Sequence, residues 1–196
     1  MLKEIFNVIT TEQSKELVEI AEIDLVNMTT LGHQIDGYRT AQGTWISNNL
    51  EISNYIKSII SEHTNLPIEN MEDLHIVKYE VDGEYKEHHD FFFPNEEYYE
   101  SACTNRGGQR LKSALIYLND NFEGGETHFP KLNKIVKFCA ADSVLNQKEV
   151  RYVNAIIEGP YISQIAHKNS GKLFAKRPNR KPDRGRHEQK EVRVVI

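Results

Sequence analysis

Cysteine is nearly missing from this chain. Cys103 and Cys139 are the two in 196 residues, and their spacing matches no zinc or iron–sulfur pattern. Two reduced thiols are the expectation, which suits a cytoplasmic protein better than a disulfide-stapled secreted one. No window approaches the roughly 18 consecutive apolar residues of a membrane span. An excess of positive charge is missing too: the formal balance is −5, so the chain as a whole lacks the field that holds nucleic acid. The opening Met1-Leu2-Lys3-Glu4 has neither the basic stretch nor the apolar run of a secretion signal. No repeat and no linker divides the sequence. The length fits one domain, which at this size buries roughly 70% of its unfolded surface.

The texture changes partway along. Thr10-Thr11-Glu12-Gln13 has the form of a capping box, and Leu17, Ile20, Ala21 and Leu25 follow at helical spacing. Ile52, Ile56, Ile59 and Ile60 predict a second helix that ends near Pro67. After residue 73 short β-rich runs take over: Leu74 to Val81, Ser113 to Leu118, Lys134 to Phe138, Tyr161 to Ile165 and Val192 to Ile196. Turn-forming pieces such as Asn105-Arg106-Gly107-Gly108 and Glu123-Gly124-Gly125 separate them. Helices first and strands afterwards predict a mostly β protein with flanking helices, a jelly roll or sandwich packed on N-terminal helices. The expected division is a helical support region over 1–72, the jelly-roll core over 73–178, and a basic tail with a terminal strand over 179–196. Lys168 to Lys190 carries nine Lys or Arg against Asp183 and Glu188. Such a run reads as a solvated tail or as a contact for acidic groups.

His88 and Asp90 form a His-x-Asp pair within Tyr85-Lys86-Glu87-His88-His89-Asp90. On a strand, side chains two apart share a face. An imidazole nitrogen and a carboxylate oxygen then converge on one point, two of the three donors of the facial triad that holds non-haem Fe(II) and leaves positions open. By itself such a pair is more often a structural contact.

Its neighbours carry more. The stretch Tyr79-x-x-x-Gly83-x-Tyr85-x-x-His88-x-Asp90 resembles the iron-binding region of the prolyl 4-hydroxylase type of 2-oxoglutarate/Fe(II) dioxygenases. So do Gly107-Gly108-Gln109-Arg110 with Ser113 to Asn119, Phe122-Glu123-Gly124-Gly125-Glu126-Thr127-x-Phe129-Pro130, and, upstream, Arg39-Thr40-Ala41-Gln42-Gly43-Thr44-Trp45. The resemblance implies a double-stranded β-helix core, Fe(II), 2-oxoglutarate and ascorbate as cofactors, and O2 and a peptide or protein as reactants. The implied reaction decarboxylates 2-oxoglutarate to succinate and hydroxylates an unactivated C–H bond, plausibly of proline. It also implies a lysine for the distal carboxylate of 2-oxoglutarate. Gly171-Lys172-Leu173-Phe174 and Arg177-Pro178 look like the family's final core strand, and counting back six from Phe174 gives Lys168. Tyr85, Ser113 and Tyr79 match positions that supply hydroxyls to that pocket.

The family's second iron histidine lies ten residues before the lysine. That count reaches Glu158, within Ile156-Ile157-Glu158-Gly159-Pro160, and no histidine. Glu158 as third ligand, His167 as third ligand, and a defective site stay open as readings. A defective site would leave a catalytically silent jelly-roll module that binds peptide. His128 and His187 read as core or surface histidines. The aromatic stretch Phe91 to Arg106 is the expected loop over the substrate.

Overall fold

The computed structural model describes residues 2–5, 8–30, 37–105, 108–119, 124–136, 154–158, 165–168 and 191–195, the last three segments as strand backbone. The first helix, α1 (Thr11–Glu22), starts as its sequence dictates. Thr10 Oγ1 accepts from the Gln13 amide at 3.2 Å, and Gln13 Oε1 accepts from the Thr10 amide at 2.9 Å. This reciprocal cap satisfies two of the orphan donors at a helix start. The second helix, α2 (Glu51–Thr64), buries Ile52, Ile56 and Ile60 and stops at Asn65, whose φ of 56° is left-handed. A short helix, α3 (Tyr99–Asn105), lies within the expected substrate loop.

Eleven strands build two antiparallel sheets among the described residues. The larger holds β1 (Leu2–Ile5), β2 (Val26–Asn27), β3 (Gln42–Ile46), β4 (Leu74–Tyr79), β6 (Lys112–Tyr117), β9 (Asn154–Glu158) and β11 (Glu191–Val195), in the order β1-β9-β6-β11-β4-β3-β2. The smaller holds β5 (Glu84–His88), β7 (Thr127–Phe129), β8 (Lys134–Val136) and β10 (Ile165–Lys168), in the order β5-β10-β7-β8. From β4 onward the chain crosses repeatedly between the sheets, apart from the β7–β8 pair, which stays in the smaller one.

Alternation along each strand sorts its side chains to two faces. Leu74 and Ile76 of β4, with Ala114 and Ile116 of β6, pack under α1 and α2 against Leu17, Ile56 and Ile60. Full burial of each Leu or Ile there contributes about 1.5–3 kcal/mol. The alternate residues, Val77 and Tyr79 on β4 and Ser113, Leu115 and Tyr117 on β6, turn toward the smaller sheet. Tyr117 Oη and Thr127 Oγ1, 2.5 Å apart, tie the two sheets together through that interior.

Two expectations change. The region 1–72 is not helical support alone, because β1, β2 and β3 extend the larger sheet on both sides. The last strand sits at the centre of that sheet between β4 and β6, not beyond a core that ends at residue 178. A strand runs over Ile165–Lys168; of the expected run Tyr161 to Ile165, residues 161–164 lie outside the described residues. Gly171 to Phe174, Arg177, Pro178, His187 and the rest of the basic run over 169–190, along with Phe122, Glu123 and Cys139, also lie outside them.

Candidate metal and substrate cleft

Between the sheets opens a cleft of about 400 Å³, lined among others by Arg39, Trp45, His75, Tyr79, Tyr85, His88, Asp90, Phe92 and Arg110. His88 ends β5, and Asp90 follows two residues later. His88 Nδ1 lies 2.7 Å from the Lys86 carbonyl. That contact requires the proton on Nδ1 and turns Nε2 to the cleft. Asp90 Oδ1 stands 3.3 Å from Nε2. Nitrogen and oxygen ligands of a small dication bind at roughly 2.1 Å, so two adjacent donors in an octahedron lie about 3 Å apart. The pair fits such an ion.

The Asp90 carboxyl is held well below the usual carboxylate range. Burial alone would raise it; the hydrogen bond and charge of His88, the charge of Arg110 and a hydrogen bond with Ser113 outweigh that effect. An ionised carboxylate is the form that binds metal. Ser113 therefore serves Asp90 from the opposite sheet.

The loop that carries Asp90 is clamped by the turn over Gly108, Gln109 and Arg110. The Gln109 side chain bonds the Phe92 backbone twice: its Oε1 accepts from the amide at 2.7 Å, and its Nε2 donates to the carbonyl at 2.6 Å. Arg110 donates to the Asp90 carbonyl at 3.4 Å, covers the Phe92 ring at 4.8 Å, and pairs through two nitrogens with the Glu72 carboxylate. Gly108 begins this turn at φ +118°, a conformation that suits glycine.

On the other side, Tyr38 to Thr40 run beside β5. Thr40 N donates to Glu84 O at 2.8 Å and Lys86 N to Tyr38 O at 3.0 Å. This strap sets the Arg39 guanidinium 4.4 Å from the Tyr85 ring centroid. Tyr85 in turn stacks on His88 at 3.5 Å between ring centroids. Burial pushes the Tyr85 hydroxyl far up, opposed by Arg39 and assisted by Asp90, so it stays a protonated donor. Tyr79 is buried beside Val77 and Ala41, with Tyr85 packed against them.

Strand register places the remaining candidates. Glu158 pairs with Lys112 on β6, and Ile157 pairs with Ser113. Ser113 shares the face toward Asp90, so Glu158 belongs to the opposite face, that of Lys112, whose ammonium donates to the Thr64 carbonyl at the end of α2. His167 pairs with Tyr85 on one side and with Thr127 on the other, which places it on the interior face of the smaller sheet. Ile165 pairs with His88, and a bulge in β5 lets Tyr85 and His88 share that face although three residues apart. Lys168 pairs with Glu84 and lies on the outer face. His128 pairs with Ala166, on the outer face as well. Among the described side chains no third His, Cys, Asp or Glu joins the pair.

One further register position was not singled out from the sequence. Arg193 of β11 pairs with Val77 on β4 and Tyr117 on β6, both interior residues. The alternation Val192-Arg193-Val194, a charge between apolar residues in a strand, was the available signal.

Two opposed antiparallel sheets around a histidine–carboxylate pair make the frame of a metal-dependent oxygenase. Residues 74–194 match the model of the 2OG-Fe(II) oxygenase superfamily, and the chain belongs to that family. A protein of Acanthamoeba polyphaga mimivirus that carries a prolyl 4-hydroxylase name is 34% identical over 139 residues, covering 71% of this chain and 57% of the relative. Prolyl 4-hydroxylase 5 of Arabidopsis thaliana is 34% identical over 130 residues, covering 63% of this chain and 43% of the relative. The chain thus spans about half the length of the curated relatives it matches. Among solved structures, the viral collagen prolyl hydroxylase of Paramecium bursaria Chlorella virus-1, in complex with 2OG, has a TM-score of 0.59 at 16% identity over 99% of this chain and 93% of that one. A Trichoplax adhaerens prolyl hydroxylase, in complex with a hypoxia inducible factor peptide fragment, has a TM-score of 0.58 at 15% identity over 99% and 81%. At these identities the structural likeness concerns the fold.

Proposed function

We propose that this chain is an Fe(II)- and 2-oxoglutarate-dependent dioxygenase that hydroxylates a peptidyl side chain, with proline the favoured target, on a double-stranded β-helix. One observation carries the reading: His88 Nε2 and Asp90 Oδ1 converge at 3.3 Å inside a cleft, in a chain of the 2OG-Fe(II) oxygenase superfamily. The names of the curated relatives favour proline.

His88, Asp90 and His167 are the proposed iron ligands. Register supports His167 over Glu158, because His167 lies across from Tyr85 on β5, three residues before His88, and Glu158 lies on the far face of the other sheet. Three protein ligands leave positions free for a chelating 2-oxo acid and for O2. When bound, iron and 2-oxoglutarate supply the oxidising power that an aliphatic C–H bond demands.

The chain's own residues prepare and shield that place. The Lys86 carbonyl fixes the His88 tautomer, and Ser113 and Arg110 keep Asp90 ionised and aimed. Tyr79 and Tyr85 are proposed donors to the co-substrate. The interior register position of Arg193 supports it, rather than Lys168, as the cation for the distal carboxylate, where a guanidinium offers two parallel donors. Phe91, Phe92 and Tyr98 line the cleft beside the ligand pair, so that substrate can be held with water excluded. Ascorbate would act as a reductant of the iron, and a cytoplasmic setting remains part of this proposal.

The silent-module reading loses its main support once His167 is considered, because it rested on a missing second histidine. The test is a proline-containing peptide incubated with Fe(II), 2-oxoglutarate and O2. The expected result is peptide that gains one oxygen atom in step with succinate. Succinate formation that no peptide stimulates, and no oxygenated peptide across a proline-rich panel, would remove the prolyl assignment.

A further inference from the structure

Trp45 is the only tryptophan of the chain, and it is placed where a large apolar ring ordinarily would not be left. It is 47% exposed on β3, at the cleft. Its indole stacks on the His75 imidazole across the strand pair, with centroids 4.0 Å apart and planes within 6°. The imidazole braces the indole, which costs little further entropy to hold in one orientation. Two residues earlier, Gly43 keeps the floor low: a Cβ there would meet Met28 Sδ at 2.7 Å and His75 Nε2 at 2.8 Å. Val26, across from Gly43 on the edge strand β2, is 65% exposed and lines the same cleft.

This apolar lip is continuous with the metal pair but not beside it. Trp45 pairs with His75 at the start of β4, and Tyr79, which packs with Tyr85 and so leads to His88, ends that strand. Four residues of strand span about 13 Å, and an extended or polyproline-type chain covers that distance in about four residues. Resting on the reading of this cleft as a peptide hydroxylase site, we infer that Trp45, braced by His75, is a subsite for a proline or other apolar residue of the peptide about four positions from the residue that reacts. An indole face suits a proline ring, which has no amide hydrogen to satisfy and little conformational freedom to lose. Trp45 is in this sense a specificity-determining residue, not a catalytic one.

The lone tryptophan makes the inference measurable without turnover. In anaerobic protein loaded with Mn(II), titration with a ten-residue alternating Pro-Ala peptide should change the intrinsic indole emission saturably, and a Gly-Ser peptide of equal length should not. In turnover, Trp45→Ala should raise the KM for the proline peptide roughly three- to tenfold, the effect of losing one aromatic contact, with kcat within twofold. Trp45→Phe should recover most of the loss. An unchanged KM in Trp45→Ala, or emission that responds to 2-oxoglutarate and not to peptide, would overturn the inference and assign the indole elsewhere. Failure of the underlying hydroxylase reading looks different: wild-type protein would then neither convert 2-oxoglutarate nor modify peptide.

Discussion

Ser113 offers the sharpest single test of how the ligand pair is held. It is 7% exposed on β6, and its hydroxyl bonds the Asp90 carboxylate from the opposite sheet. Ser113→Ala removes that donor and almost no volume. A hydrogen bond to a charged acceptor contributes about 1.5–3 kcal/mol, which at tenfold per 1.4 kcal/mol is roughly 10- to 150-fold in affinity. Groups that orient a metal ligand cost about 10- to 100-fold when removed, so both routes agree. The assay is calorimetric titration with Mn(II), repeated with Fe(II) under argon, on wild type and Ser113→Ala. The expected result is metal affinity weakened at least tenfold, with the melting point of metal-free protein moved by only a few degrees. Metal affinity within twofold of wild type, with a raised KM for 2-oxoglutarate, would refute the reasoning and return Ser113 to the co-substrate role its sequence position implies.

Other expectations follow from the same geometry. His167→Ala should abolish metal binding in that titration and Glu158→Ala should leave it unchanged; the reverse pattern would reinstate Glu158. Glu72→Ala should destabilise the fold by about 2 kcal/mol in urea unfolding, below the ~3–5 kcal/mol of a fully buried pair because the Arg110 side chain keeps 30% exposure. Gly83→Ala should cost about 1–3 kcal/mol, since its Cβ would meet the backbone oxygens of Glu80 at 2.8 Å and Thr40 at 2.9 Å. Ile76→Ala, emptying a fully buried position on β4 beneath the helices, should cost about 2–5 kcal/mol by the same measurement.

The legible parts of the sequence were those with local physics. The capping box at Thr10 and the isoleucine spacing of α2 announce helices because their signals lie within a few residues. His88 and Asp90 were legible because the motif is equally local, although Asp90 lies two residues beyond the end of β5. The choice between Glu158 and His167 was not, because distance along the chain says nothing about register between strands. A count back from Phe174 led to Glu158 and Lys168, whereas the register of β9 sets Glu158 opposite Lys112, and that of β10 sets Lys168 opposite Glu84 and His167 opposite Tyr85. Arg193 went unread for a related reason: the terminal strand was expected after the core, and only the pairing of β11 with β4 and β6 sets it at the centre of the larger sheet. Gln109 and Arg110 were recognised as a pattern, but their work, holding the backbone of Asp90 and Phe92, is tertiary.

The claim beneath all of this is that the cleft binds iron and 2-oxoglutarate together. Anaerobic titration of the wild-type protein with Fe(II) in the presence of 2-oxoglutarate tests it directly, read as the visible charge-transfer absorption of an iron-bound 2-oxo acid. The account predicts a band that saturates at one iron per chain and is lost in Asp90→Ala and His167→Ala. No band in the wild type, or a band indifferent to both substitutions, would contradict it.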